Sequence, residues 1–112
     1  MIDDDDPFDA LCIKHGFETP AWSGVGVGWL PILDKLFGRL RAAGVTSLGQ
    51  VKEKFGTLRV YVGAVDTHAV IDAAIREAEA ESAVTCETCG APGKLRVGGW
   101  LTTSCDDCRG EG

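Results

Sequence analysis

The apolar positions between Trp29 and Ala43 recur at helical spacing, which predicts an amphipathic α-helix with one face in a core. Pro31 suits the first helical turn, and Gly44 suits the C-terminal cap. A second apolar stripe predicts another helix over residues 66–82. The predicted buried positions are Trp29, Leu33, Leu36, Phe37 and Leu40 in the first helix and Val70, Ile71, Ala74, Ile75 and Ala78 in the second.

Between these helices, the alternation of apolar and polar residues predicts a β-hairpin over residues 48–62. The second strand is the clearer one, because Leu58, Val60 and Val62 alternate with polar or aromatic neighbours. The first strand has an irregular apolar pattern, which predicts a bulge or a short strand, and Phe55-Gly56 would form the turn.

The outward face of this hairpin is the candidate binding surface. If Arg59 and Tyr61 point outward, Lys52 and Lys54 lie on the same face and form a basic patch with one aromatic side chain. Trp100, from the C-terminal region, is a further aromatic candidate. The alternative is an ordinary solvated sheet face, since charged side chains are usually exposed.

The C-terminal region contains two C-x-x-C pairs, Cys86/Cys89 and Cys105/Cys108, separated by fifteen residues. This spacing lies within the range of four-cysteine zinc sites. Four thiolates complete the tetrahedral shell of one Zn²⁺ and leave no position for water, so we expect one structural zinc ion. The alternative is a pair of disulfides, which would need an oxidising compartment.

The residues between the two cysteine pairs predict a second hairpin. Lys94–Val97 and Trp100–Thr103 are rich in strand formers, and the Gly98-Gly99 link suits a tight turn. This hairpin would carry the second cysteine pair back to the first, which is the architecture of a zinc ribbon.

The N-terminal region has weaker signals. The acidic run Asp3–Asp6 predicts a solvated tail, with an acidic contact arm as the alternative. Cys12 and His15 have C-x-x-H spacing, which is half of a metal site and could join the cluster or bind a second ion. Because four other cysteines already complete a shell, a buried Cys12 is favoured.

The glycine-rich stretch over residues 21–29 predicts a bent loop. Trp22 and Trp29 would anchor this loop to the core. The alternating glycines do not predict a phosphate-binding loop, because no Gly-Lys-Ser/Thr follows them.

Together these elements predict an α+β domain, in which two helices pack on a small antiparallel β-sheet and a four-cysteine zinc-ribbon hairpin follows at the C-terminal end. The predicted organisation is an acidic leader and irregular segment over residues 1–27, a helix–hairpin–helix core over 28–85 and the zinc ribbon over 86–112.

Composition and charge limit the partners. With 112 residues and a net charge of −6, the chain is poorly equipped for non-specific nucleic-acid binding, which depends on Lys and Arg at phosphates. No apolar run approaches the ~20 residues of a membrane span. Met1–Asp6 lacks the basic and apolar regions of a signal peptide, so we expect a cytoplasmic protein.

Three segments carry a family resemblance. The chain resembles a family of small uncharacterised proteins of bacteriophages, prophages and bacteria. The resemblance lies in the Gly28-Trp29 start of the first helix, the Val51–Val62 run with its KEKFG-x-LR-x-Y pattern, and the cysteine-containing segment Cys86–Asp106. The resemblance implies a phage-like origin and a zinc-binding C-terminal end. It implies no reaction.

These observations favour a zinc-stabilised protein-interaction module, specifically a phage-encoded modulator or inhibitor of a host defence protein. The alternative function is a nucleic-acid-binding zinc ribbon, and self-association through the hairpin face is an alternative use of that surface. The cations of the nucleic-acid alternative would be Lys52, Lys54, Arg59, Lys94 and Arg96. We expect no enzymatic activity, because no nucleophile, base and orienting group can be named together.

Overall fold

Three helices and five strands make up the part of the chain that the computed structural model describes, which is residues 7–18, 22–54, 56–62, 68–96, 102–105 and 108. The helices are α1 (Pro7–Lys14), α2 (Leu30–Ala42) and α3 (His68–Ser82), and a 3₁₀ turn (Val27–Trp29) leads directly into α2. The strands are β1 (Trp22–Gly24), β2 (Leu48–Lys54), β3 (Thr57–Val62), β4 (Lys94–Arg96) and β5 (Thr102–Ser104). No helix in these ranges is long and apolar enough to cross a membrane.

Helix α2 is the central helix, and the structure confirms its prediction. Pro31 lies in the first turn, where its missing N–H costs no helical hydrogen bond. Gly44 follows the last turn with a φ of +97°, a conformation in which glycine avoids the steric penalty of a Cβ. All five predicted positions are buried, and so is Ile32.

Helix α3 buries a narrower stripe than the sequence predicts. Ile71, Ala74 and Ala78 are buried, but Val70 is 52% exposed. Successive residues of a helix are rotated by about 100°, so Val70 lies beyond the edge of the stripe that runs from Ile71 to Ser82. The prediction of a buried Val70 is therefore wrong.

The larger sheet has the strand order β1-β2-β3 and is mixed. Strands β2 and β3 form the predicted antiparallel hairpin, with a register shift between Leu48 and Gln50 that confirms the bulge. Strand β1 pairs parallel to β2. The wholly antiparallel sheet of the prediction is thus wrong, because α2 connects β1 to β2 as a crossover and returns the chain in the same direction.

The helices pack on this sheet mainly through α3. Helix α3 packs on β3, whereas the main helical contacts of α2 are with α3 and α1. Side chains such as Leu33 and Phe37 from α2 share one hydrophobic core with Val51 and Leu58 from the sheet. The α+β class is confirmed in this form, with α2 packed mainly on other helices.

Residues 7–18 and 22–27 contain more regular structure than the irregular segment that the sequence predicts. Helix α1 lies on α2, where Phe8 packs edge-to-face on Phe37 with ring centroids 6.4 Å apart. Cys12 on the same helix is fully buried. Phe8, Leu11 and Cys12 have i, i+3, i+4 spacing, which places all three on one helical face. The acidic run Asp3–Asp6 lies outside the described residues.

One buried serine couples the sheet edge to α3. The Ser82 hydroxyl accepts a hydrogen bond from the Leu58 N–H at 3.0 Å and donates one to the Glu79 carbonyl at 2.6 Å. We expect Ser82→Ala to lower the free energy of unfolding by about 1–3 kcal/mol, because it leaves the Leu58 N–H buried without an acceptor. Urea unfolding measures this change. The exposed Ser47→Ala is the matched control, and an equal effect of the two variants would refute the coupling.

Candidate metal centre

Four cysteine sulfurs converge at the C-terminal end of the described chain. The sulfurs of Cys86, Cys89, Cys105 and Cys108 all lie within 4.8 Å of one another. The Cys89 and Cys105 sulfurs are 3.6 Å apart. Zinc–sulfur bonds of about 2.3 Å at tetrahedral corners require sulfur–sulfur distances of about 3.8 Å. The predicted cysteine cluster is confirmed, and its spacing fits a tetrahedral metal ion.

The first cysteine pair lies on a tight turn that its own backbone stabilises. The Gly90 N–H donates to the Cys86 carbonyl at 2.9 Å, and Gly90 has a positive φ of +84°. The Cys86 N–H in turn donates to the Ala91 carbonyl at 2.8 Å. These bonds direct the side chains of Cys86 and Cys89 toward the same point.

The second pair arrives on the short hairpin of β4 and β5. These strands are antiparallel, with Lys94 opposite Ser104, and Cys105 follows directly. The Glu87 N–H donates to the Thr103 carbonyl at 3.0 Å, which attaches β5 to the first cysteine turn. The predicted hairpin is confirmed where it is described, with β4 over Lys94–Arg96 and β5 over Thr102–Ser104. The rest of the predicted strands and the Gly98-Gly99 turn lie outside the described residues.

The electrostatics of the cluster favour a bound cation. Burial raises the pKa of the Cys86 thiol, but hydrogen bonds to its sulfur, chiefly from the backbone amides of Cys105, Cys89 and Thr88, outweigh burial and lower that pKa to about 6. Hydrogen bonds to the other three sulfurs, that of Cys105 first, raise the pKa of Cys108 to about 12. Four thiols this close together are difficult to deprotonate at the same time, because their negative charges repel one another. A bound divalent cation offsets this repulsion.

The glycine-rich loop packs directly against the first cysteine turn. The Gly28 N–H donates to the Glu87 carbonyl at 2.7 Å, and the Trp29 indole N–H donates to the Thr85 carbonyl at 2.9 Å. A Cβ built on Gly28 would overlap the Cys86 carbonyl oxygen and lie 2.6 Å from the Gly90 nitrogen. The metal centre is therefore joined to the start of α2 by close backbone contact.

The Glu87 carboxylate adds a further link to this loop. It accepts a hydrogen bond from the Gly26 N–H at 2.9 Å. Burial raises the pKa of the Glu87 carboxyl, while that hydrogen bond acts in the opposite direction. The sequence predicts a bent loop here but does not indicate what it contacts. The alternating glycines were the available signal, because glycine permits such close backbone approach.

Cys12 and His15, the half-site predicted near the N-terminus, have other roles. Cys12 is fully buried in the core. The His15 Nε2 atom lies 2.6 Å from an Asp34 carboxylate oxygen, and the Lys14 ammonium lies 3.1 Å from the same carboxylate. The His15 hydrogen bond, followed by that from Lys14, lowers the pKa of Asp34. Within the described ranges, the four C-terminal cysteines are the one group of three or more ligand atoms close enough to hold an ion.

The hairpin brings together four of the five residues of the candidate binding surface. Lys52 pairs directly opposite Arg59, and Tyr61 lies two positions further along the same face of β3. Tyr61 is 49% exposed, Lys54 is exposed, and the other two are half-buried. Arg59 lies 3.7 Å from a Glu79 oxygen of α3. Trp100 lies outside the described residues.

Comparison of the chain with protein-family models, with curated proteins and with solved structures gives no match.

Proposed function

We propose that this protein is a zinc-stabilised protein-interaction module that presents the outer face of β2 and β3 to a partner. Its resident ion would be one Zn²⁺ held by Cys86, Cys89, Cys105 and Cys108. Thiolates are soft ligands, and a tetrahedral set of four is typical of structural zinc. Backbone N–H groups hydrogen-bonded to the sulfurs supply the outer shell that such sites use.

The role of the ion in this proposal is structural. Four protein thiolates close the shell, so no position remains where a water or substrate could bind the metal. The proposal accordingly assigns no catalytic residue and no reaction to the chain.

The observation that carries the interaction surface is the row of cations beside Tyr61 in a chain with a net charge of −6. Aromatic and basic side chains on one sheet face, of which Lys54 and Tyr61 are exposed, suit an acidic protein surface.

The resemblance to phage proteins suggests a host protein as this partner, in the specific form of a modulator or inhibitor of host defence. The test is a pull-down from nuclease-treated bacterial lysate with the zinc-loaded protein. We expect to recover a protein partner. The Lys52→Gln/Lys54→Gln double variant should bind this partner at least about tenfold more weakly, a factor that corresponds to about 1.4 kcal/mol. The Lys35→Gln/Arg76→Gln variant, with the same change in charge on the exposed helical surface, should retain it.

Retention of the partner by the Lys52→Gln/Lys54→Gln variant would refute this surface. Recovery of nucleic acid alone from untreated lysate, with affinity that falls steeply as salt rises, would favour the nucleic-acid alternative instead.

The metal assignment has its own prediction. We expect native mass spectrometry to find one zinc ion per chain, and any one of Cys86→Ser, Cys89→Ser, Cys105→Ser or Cys108→Ser to weaken its retention strongly, because one thiolate is lost from the shell. Cys12→Ser is the matched control, since Cys12 is buried in the core apart from this cluster. Tight stoichiometric zinc in the four ligand variants would contradict the assignment.

A further inference from the structure

The cysteines of the proposed metal centre differ in their exposure to solvent. Cys86 is fully buried and Cys105 is 9% exposed, whereas Cys89 lies on the protein surface. The Cys86 sulfur also accepts hydrogen bonds from the backbone amides of Cys105, Cys89 and Thr88, which hold it in place as a ligand. A small oxidant dissolved in water therefore reaches Cys89 before it reaches Cys86 or Cys105.

The exposed Cys89 has a second sulfur close by. Its Sγ lies 3.6 Å from the Sγ of Cys105, which belongs to the other cysteine pair. A disulfide bond requires a sulfur–sulfur distance of about 2.0 Å, so the two side chains must approach by less than about 2 Å. An accessible thiolate with a second thiolate beside it is the usual arrangement of a redox-sensing cysteine pair.

A bound ion would supply the reactive form of both sulfurs, so the inference rests on the zinc assignment of the proposed function. A thiol that coordinates a divalent cation is deprotonated, and the thiolate is the form of cysteine that acts as a nucleophile. Cys12 is fully buried in the core and lies outside the cysteine cluster, so it takes no part in this chemistry.

We propose that Cys89 and Cys105 form a peroxide-sensitive switch, in which a disulfide between them removes two of the four zinc ligands and the ion is released. The Cys89 thiolate attacks one oxygen of hydrogen peroxide, the O–O bond breaks, and the departing hydroxide takes a proton and leaves as water. The Cys105 thiolate then attacks the sulfur of the resulting Cys89 sulfenic acid. The S–S bond forms, the S–O bond breaks, and the second hydroxide also leaves as water. Two electrons pass from the sulfurs to the peroxide, and two protons come from solvent.

A buried contact connects this switch to the proposed interaction face. Thr103 is 1% exposed and lies two residues before Cys105, and its hydroxyl donates to the Gly56 carbonyl in the turn between β2 and β3. The Gly56 N–H in turn donates to the Glu53 carboxylate at 2.6 Å. The ribbon therefore supports one end of the β2–β3 hairpin, and release of the ion loosens that support.

The experiment treats the zinc-loaded full chain with hydrogen peroxide and follows zinc release with a chromogenic chelator. We expect release of the bound zinc together with a Cys89–Cys105 disulfide, which peptide mapping by mass spectrometry identifies. Hydrogen exchange on the same samples should show lost protection at the β2–β3 turn. Dithiothreitol, which is itself oxidised to its cyclic disulfide, should restore the zinc-bound protein when zinc is added back.

A histidine variant separates disulfide formation from zinc binding. Cys89→His keeps a zinc ligand but cannot form a disulfide, so it should slow zinc release by about tenfold or more. Cys108→His is the matched control, because it makes the same exchange of ligand outside the proposed pair and should release zinc at the rate of the unsubstituted chain. The disulfide map of the unsubstituted chain tests the pairing without either variant.

Other outcomes overturn the proposal. They are retention of zinc after every exposed thiol has been oxidised, a disulfide within one pair (Cys86–Cys89 or Cys105–Cys108), and equal rates of zinc release from the two histidine variants. A chain that holds no zinc before peroxide is added overturns the metal assignment and the switch together. The zinc content measured at the start distinguishes that result from a failure of the switch alone.

Discussion

Removal of the metal by a chelator is expected to unfold the packed domain as well as the ribbon. A structural zinc site contributes about 10–16 kcal/mol of binding free energy that is also folding free energy. Typical domains are stable by only about 5–15 kcal/mol in total. The cluster here is also joined to the core, because Trp29 is fully buried and donates its indole N–H to the Thr85 carbonyl beside the first cysteine turn.

Hydrogen exchange with mass spectrometry tests this prediction region by region. On chelation we expect the amides of α2 and of the β2–β3 hairpin to lose protection together with those of β4 and β5, and added zinc to restore all of them. A metal-free protein that keeps protection in α2 and β2–β3, with only the ribbon exchanging, would show that the core is stable on its own. The ribbon would then be an appendage.

Patterns among neighbouring residues correctly predicted α2, β3 and the cysteine cluster. The 3.6-residue period identified α2, and Pro31 and Gly44 marked its ends. Capping and amphipathicity depend only on residues that are close together in the sequence. Alternation identified β3 in the same way. The spacing of Cys86, Cys89, Cys105 and Cys108 predicted the metal cluster, since two short C-x-x-C turns and a connecting hairpin can meet at one ion with little help from the rest of the chain.

Features that depend on distant contacts were not predictable in this way. Strand β1 has only three residues, and it forms a strand because it pairs with β2, which lies some thirty positions later in the chain. Helix α1 has a weak apolar pattern, and its packing on Phe37 decides its position. The contact between Gly28 and the first cysteine turn is likewise set by the tertiary fold. The glycine pattern could indicate that another backbone segment approaches closely, but it could not identify that segment.

Substitution of Gly28 by alanine is expected to damage both the fold and the metal site. The added methyl group would overlap the Cys86 carbonyl oxygen and come within 2.6 Å of two further backbone atoms, the Glu87 oxygen and the Gly90 nitrogen. Backbone atoms cannot move aside as a flexible side chain can, so the loop and the cysteine turn must separate. We expect a loss of about 3 kcal/mol or more in the free energy of unfolding, at the upper end of overpacking effects. Urea unfolding of the zinc-loaded protein measures it.

Zinc retention in the same variant tests the link between this loop and the cluster. The carbonyl of Cys86 accepts the Gly90 N–H that closes the first cysteine turn, so displacing that carbonyl should also weaken zinc binding in a competition with a chromogenic chelator. Gly38→Ala is the matched control: it lies inside α2, and its Cβ would meet only the His15 ring carbon at an ordinary 3.6 Å. The same chemical change should stabilise the protein there by about 0.5–1 kcal/mol, because alanine loses less conformational freedom than glycine in a helix. Equal small effects of the two variants would mean that the loop and the cysteine turn separate without cost, and the metal centre would then be independent of α2.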